Sequence, residues 1–142
     1  MTEVKDTAAR FVAAFNAHDE KTLHELHAAN IKFEAPGFKA TNGTEATAYA
    51  LGWLKGFPNG KMTVRGEVVS APWVVQEVIM EGLNTGPMQG PTGTVQPTNK
   101  KLVSKGVQVL KIEDGKITET RIYFDQLDTL TQLGLLPAPA TV

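Results

Sequence analysis

The spacing of the apolar residues changes once along this chain, near Pro58, and does not change back. Before that point Ala8, Phe11, Val12 and Phe15 recur at helical spacing, which predicts an amphipathic helix over 6–17. A second short helix is expected over 20–28 with Leu23 and Leu26 inward. Ile31 to Ala35 then alternates in the two-residue period of a half-buried strand, which Pro36-Gly37 stops. Thr44 is placed to cap a third helix, whose apolar stripe Ala46, Ala50, Trp53, Leu54 and Phe57 ends at Pro58. Beyond it come β-prone runs over 61–69, 73–83 and 101–112, and Asp114-Gly115 turns the last of these into a fourth over 116–124. Helices followed by consecutive antiparallel strands specify an α+β fold in which helices cover one face of a curved sheet. The other face is left to solvent or to a second subunit.

A chain of 142 residues suffices for one core, so a single domain over 1–142 is expected. Residues 84–99, rich in Gly and Pro, exceed a hairpin turn and are expected to form a loop over a pocket, with 138–142 a flexible tail. The formal net charge is −1 and the 14 basic residues are scattered, so no footprint for nucleic acid or an anionic membrane is visible. The start holds no uninterrupted apolar run, so neither a signal peptide nor a spanning helix is expected, and the cytoplasm is the expected location. With no cysteine, disulfides, thiolate metal sites and a Cys nucleophile are excluded.

Arg121, Tyr123 and Asp125 fall on one face of the last strand because side chains alternate, with same-face neighbours about 7 Å apart. If that face closes a cavity lined by Phe15, Phe33, Trp53 and Trp73, Asp125 loses hydration and becomes a general base able to take a proton from carbon. Tyr123 beside it then hydrogen-bonds the enolate oxygen as charge develops there. A second role for Asp125 is open on local grounds. Asp125-Gln126-Leu127-Asp128 precedes a helical run to Leu133, with Gly134 as its stop, so Asp125 is also placed as an N-cap.

Tyr123 and Arg121 also fit an exposed strand surface, with Arg121 paired to Glu77 or Glu119, and the stripe Tyr49, Trp53, Phe57 also fits plain core. His24 and His27 lack a His-x-x-x-His spacing with a third ligand, so no metal is expected. Ser70 and Ser104 have no His or Lys placed by a motif to activate them, and no Gly-rich phosphate fingerprint occurs.

The segments Glu81 to Pro87, Val103 to Gln108, Glu113 to Ile117, Arg121 to Leu127 and Thr131 to Pro137 resemble the SnoaL-like ester and polyketide cyclases of the nuclear transport factor 2-like superfamily. Asn16-Ala17-His18-Asp19 and Phe33-Glu34-Ala35-Pro36-Gly37 extend the likeness through nearly the whole chain. The resemblance implies a cone of three N-terminal helices packed on a curved antiparallel β-sheet, a cystatin-like α+β barrel with a pocket between helices and sheet. It implies a homodimer formed through the open sheet face. It also implies an intramolecular aldol condensation of a small apolar or aromatic carbonyl substrate, run without metal or other cofactor, with Asp125 in the place of the family's acid/base. Tyr123, Asn84, Gln108, Ser104, Trp53, Tyr49, Phe33, Phe15 and Trp73 are then expected around the substrate, with Arg121 as electrostatic support.

The chain departs from some members at Asn84, where they carry histidine in a Gly-Thr-His-Thr-Gly turn. It also has no histidine over 102–110, where Ser104 or Gln108 is expected to face the cavity. Two further classes stay open. One is an isomerase or hydrolase in which Asp125 shuttles a proton or activates water, where the Asp-Arg-Asp arrangement of an epoxide hydrolase would need Arg65 or Arg121. The other is a non-catalytic module for a small apolar ligand.

Overall fold

The computed structural model describes residues 2–90 and 93–136. The helical part is α1 (Thr2–Asn16), α2 (Glu20–Leu26) and α3 (Gly43–Gly56), with β1 (His27–Ala35) and β2 (Phe38–Ala40) between the second and third. The β part follows as β3 (Lys61–Ser70), β4 (Trp73–Leu83), β5 (Met88–Gly90), β6 (Gly93–Val95), β7 (Lys101–Glu113) and β8 (Lys116–Phe124), and α4 (Gln126–Gln132) comes last. This is the expected α+β fold with three N-terminal helices. Asn42 caps α3 where Thr44 was expected. Its Oδ1 accepts from the Glu45 N–H at 2.9 Å while its Nδ2 donates to Glu45 Oε1 at 2.8 Å, so the cap and the third helical residue hold each other. α2 stops at Leu26 because His27 already pairs with Ile117, so β1 begins there and not at Ile31.

Six strands form one sheet in the order β2-β1-β8-β7-β4-β3. Neighbours run antiparallel except β1 and β8, which are parallel, so the expected antiparallel sheet is a mixed one. Asp114 and Gly115 both have positive φ, 52° and 73°, which is the twist a tight Asp-Gly hairpin needs between β7 and β8. The loop expected over 84–99 contains the small hairpin of β5 and β6. The expected tail at 138–142 lies outside the described residues.

Register sorts the side chains onto two faces, because directly opposed residues share a face. Phe33, Thr120, Leu110 and Val74 align across β1, β8, β7 and β4 on the inner face. Met62, Met80 and Ser104 do so further along. Phe11, Phe15, Leu23, Leu26, Ala46, Ala50 and Leu54 from the helices close the core over them. The outer face carries Trp73, Glu77, Val107, Val109, Arg121 and Tyr123. The last pair between β8 and β7 is Phe124 with Gly106, so 101–105 of β7 extend past the end of β8.

Candidate active site

Asp125 joins β8 to α4 and is the N-cap of that helix. Its Oδ1 accepts from the Asp128 N–H at 2.9 Å, and its carbonyl accepts from the N–H and hydroxyl of Thr129 at 3.1 and 3.2 Å. Oδ2 has no partner among the described residues. The residue is exposed, so the expected loss of hydration is absent from the free protein. Gly134, with φ of 69°, ends the helix in the left-handed conformation that its position beyond Leu133 requires.

A notch lies beside the end of β8. β1 leaves β8 after the pair Glu34 with Arg121 and turns at Pro36-Gly37 into β2. Ile122 and Tyr123 then line a concavity of about 440 Å³ together with residues 34–39. Phe38, on its wall, meets Phe33 and Tyr49 with ring centres 5.8 and 5.0 Å away, and Phe33 and Tyr49 lie 5.1 Å apart. Burial pushes the Tyr49 phenol above its ordinary pKa, which keeps it a neutral hydrogen-bond donor. Phe38 was not singled out from the sequence, since a strand of three residues is too short to show a period.

The aromatic stripe of α3 continues inward. Trp53 stacks on Phe57 at 4.6 Å and lies 5.7 Å from Phe15. A Cβ on Gly60 would fall 2.3 Å from the Trp53 ring, so this end is tightly filled. Gln108 and Gln76 are buried on the inner face. Gln108 Nε2 donates to Gln76 Oε1 at 2.8 Å, and Gln76 Nε2 donates to Glu67 Oε2 at 2.7 Å. Ser104 is buried on the same face, opposite Met80. The Thr120 hydroxyl is buried without a partner among the described residues.

Three expected site residues are placed elsewhere. Trp73 and Arg121 sit on the outer face, where the guanidinium lies 5.2 Å over the Trp73 ring and 3.4 Å from Glu119 Oε1. Tyr123 is 54% exposed opposite Val107 on that face, although it also borders the notch. The expected common wall of Arg121, Tyr123 and Trp73 with Phe15, Phe33 and Trp53 is therefore not formed. Alternation groups residues by face, but only the register with β7 decides which face turns inward. Arg121 is thus occupied away from the inner face, and Arg65 is exposed where the pairing of β3 with β4 slips, which gives an Asp-Arg-Asp centre no support.

Asn84 is fully buried with its side chain engaged. Its Nδ2 donates to the carbonyls of Gly56 and Gly86, and its Oδ1 accepts from the N–H and hydroxyl of Thr98. It roots the 84–99 loop. His24 is exposed on a groove between α2 and α3, whereas His27 is buried with Nδ1 2.9 Å from Thr47 Oγ1. Burial, followed by the nearby His24, lowers the pKa of His27 from 6.5 to about 4. No group of three or more His, Cys, Asp or Glu side chains able to hold a metal occurs among the described residues.

Known proteins share this architecture. The chain is 28% identical over 136 residues to DnrD, an aklanonic acid methyl ester cyclase of Streptomyces peucetius, covering 91% of this chain and 89% of that protein. A SnoaL-like protein from Jannaschia sp. CCS1 has the same fold, with a TM-score of 0.83 at 21% identity over 96% of this chain and 94% of its own. So does an LEH-like epoxide hydrolase of M. tuberculosis, with a TM-score of 0.71 at 18% identity over 93% and 90%. Fold likeness at that distance leaves the chemistry open. The SnoaL-like polyketide cyclase profile matches residues 5–133, and the chain belongs to that family.

Proposed function

We propose that the protein is a cyclase of small polyketide carbonyl compounds in which Asp125 is the acid and base. The observation that carries this reading is the one-sided use of the Asp125 carboxylate: Oδ1 holds α4 while Oδ2 is left open at the end of β8, two residues beyond the notch residue Tyr123. A flat aromatic ester seated against Phe38, Tyr123 and Ile122 excludes water from that oxygen as the substrate binds. Oδ2 then takes the proton from a carbon α to a carbonyl, and the electron pair moves onto the carbonyl oxygen as an enolate. A hydroxyl from Tyr49 or Tyr123 donates to that oxygen. The carbon attacks a second carbonyl carbon of the same molecule, forming the new C–C bond, and the resulting alkoxide takes the proton back from Asp125. Atoms and electrons balance without an oxidant or reductant.

The test uses aklanonic acid methyl ester, the compound named for the DnrD relative. A cyclised isomer, separated by chromatography and identified by NMR because its mass is unchanged, is the expected product. Asp125→Asn is expected to form it about 10²–10⁴ times more slowly while unfolding at nearly the wild-type temperature, since Asn caps a helix about as well as Asp. Full turnover by that variant ends the proposal.

The reading also includes a homodimer joined through the outer sheet face. Val68, Tyr123 and Val103, exposed at 66%, 54% and 38%, support it as large apolar side chains presented on that face. A monomer mass in sedimentation equilibrium would remove this part. Among the described residues no helix is long and apolar enough to cross a membrane.

A further inference from the structure

We infer that Gln132 is the positioning residue of this site: its side-chain amide fastens α4 to the uncovered edge of β7 and thereby aims Asp125. The inference rests on the acid–base reading of Asp125 for its functional consequence, but its structural part stands separately. None of the seven residues of α4 is buried, so no buried side chain of its own orients the helix. The nearest apolar anchor is Leu133, just past its end, which is 2% exposed against Phe57 and Leu102. The polar anchor is Gln132. Beyond the end of β8, the main-chain groups of Val103 lack a strand partner on that edge, and Gln132 supplies one. Its Oε1 accepts from the Val103 N–H at 2.8 Å and its Nε2 donates to the Val103 carbonyl at 2.8 Å. This pair of bonds is what a residue of a neighbouring antiparallel strand would make.

The second proton of the amide carries the connection to Asp125. Gln132 Nε2 donates to Asp128 Oδ2 at 2.8 Å, and the Asp128 N–H donates to Asp125 Oδ1 at 2.9 Å. A continuous chain of hydrogen bonds therefore runs from the β7 edge through Gln132 and Asp128 to the oxygen that caps the helix. Only a primary amide of this length offers one acceptor and two donors in this arrangement. A glutamate would keep the bond from the Val103 N–H, lose the one to the Val103 carbonyl and repel Asp128. An apolar side chain would lose all three.

The experiment is Gln132→Met, which keeps length and volume but removes the polar atoms. With aklanonic acid methyl ester, kcat is expected to fall roughly tenfold to a hundredfold with KM nearly unchanged, the signature of a misaimed group rather than a lost contact. Hydrogen exchange at the Asp128 amide, which needs no substrate, is expected to quicken. If Gln132→Met fails to fold, Gln132→Glu carries the same test. Combining it with Asp128→Asn, which restores a donor toward position 132, is expected to recover part of the lost kcat. Unchanged kcat or unchanged Asp128 exchange in a folded Gln132 variant overturns the inference. Asp125→Asn assayed alongside separates the two claims. If it keeps turnover, the acid–base reading fails, and the Asp128 exchange still decides whether Gln132 positions the cap.

Discussion

α2 and α4 are both seven residues long and both begin with an aspartate cap, yet the two aspartates are left in different chemical states. Asp19 is fully engaged. Its Oδ1 accepts from the Thr22 N–H at 3.1 Å and its Oδ2 from the Thr22 hydroxyl at 2.7 Å. The Thr22 hydroxyl, followed by the Thr22 N–H, holds that carboxyl below its usual range. In α4 the corresponding third position is Asp128, which offers its N–H to Asp125 but has no side-chain donor for the second oxygen. One residue in the first turn thus decides whether a capping aspartate is fully occupied or keeps an oxygen for another task. The helices also differ in anchorage. α2 buries Leu23 and Leu26 and ends at the buried His27, while α4 buries nothing of its own.

The widest separation is expected in turnover. Asp125→Asn should lower kcat by about 10²–10⁴, the range typical for loss of a general base, whereas Asp19→Asn should leave it unchanged. Equal losses in both would mean that capping is all either aspartate does. The next effect concerns the far end of α2. His27 is neutral in the fold because burial lowers its pKa to about 4, while the unfolded chain takes up the proton near 6.5. Between those values the unfolded state binds more protons, so stability falls as pH drops. Roughly 2 kcal/mol should be lost by pH 5 relative to pH 7. Urea midpoints at the two pH values measure this, and His27→Gln should flatten the difference.

The two caps also show what was legible in the residues alone. Asp125 with Gly134, the Asp114-Gly115 turn and the extents of the long strands are local signals, and local signals survive folding. The outward turn of Arg121 and Tyr123 was not legible, because alternation is symmetric between faces until β8 registers against β7. The parallel placement of β1 on β8 depends on contacts between opposite ends of the chain. Asn84 was expected at the substrate, and three of its four side-chain bonds reach Gly56 and Thr98, too distant in sequence to be foreseen. Gln132 was not singled out from the sequence, since its partner Val103 lies 29 residues away on β7. The proposed site lies at the strand end where the sequence placed Asp125, but the notch residue Phe38 and the Gln132 bonds to Val103 needed the fold.

Exchanging the deciding residue should interconvert the two caps. Asp128→Thr gives Asp125 a hydroxyl donor for Oδ2, as Thr22 does for Asp19. Turnover should fall roughly tenfold to a hundredfold below that of Asp128→Val, the weight of a hydrogen bond to a charged group. Asp128→Val is the control, because it also breaks the link to Gln132 but leaves Oδ2 open. A Thr variant no slower than the Val variant would show that the open oxygen does not matter. The reverse exchange, Thr22→Val, should have the smallest effect. It removes the largest cause of the lowered Asp19 pKa and leaves the bond from the backbone N–H at position 22. A carboxyl held below its unfolded value stabilises the fold above that value and loses the contribution as pH falls through the folded one. Raising the folded value in Thr22→Val should therefore flatten the stability curve only below about pH 4, where Asp ordinarily titrates. Turnover at neutral pH should stay at the wild-type rate, because a cap with an open oxygen gains a catalytic role only where a substrate can reach it.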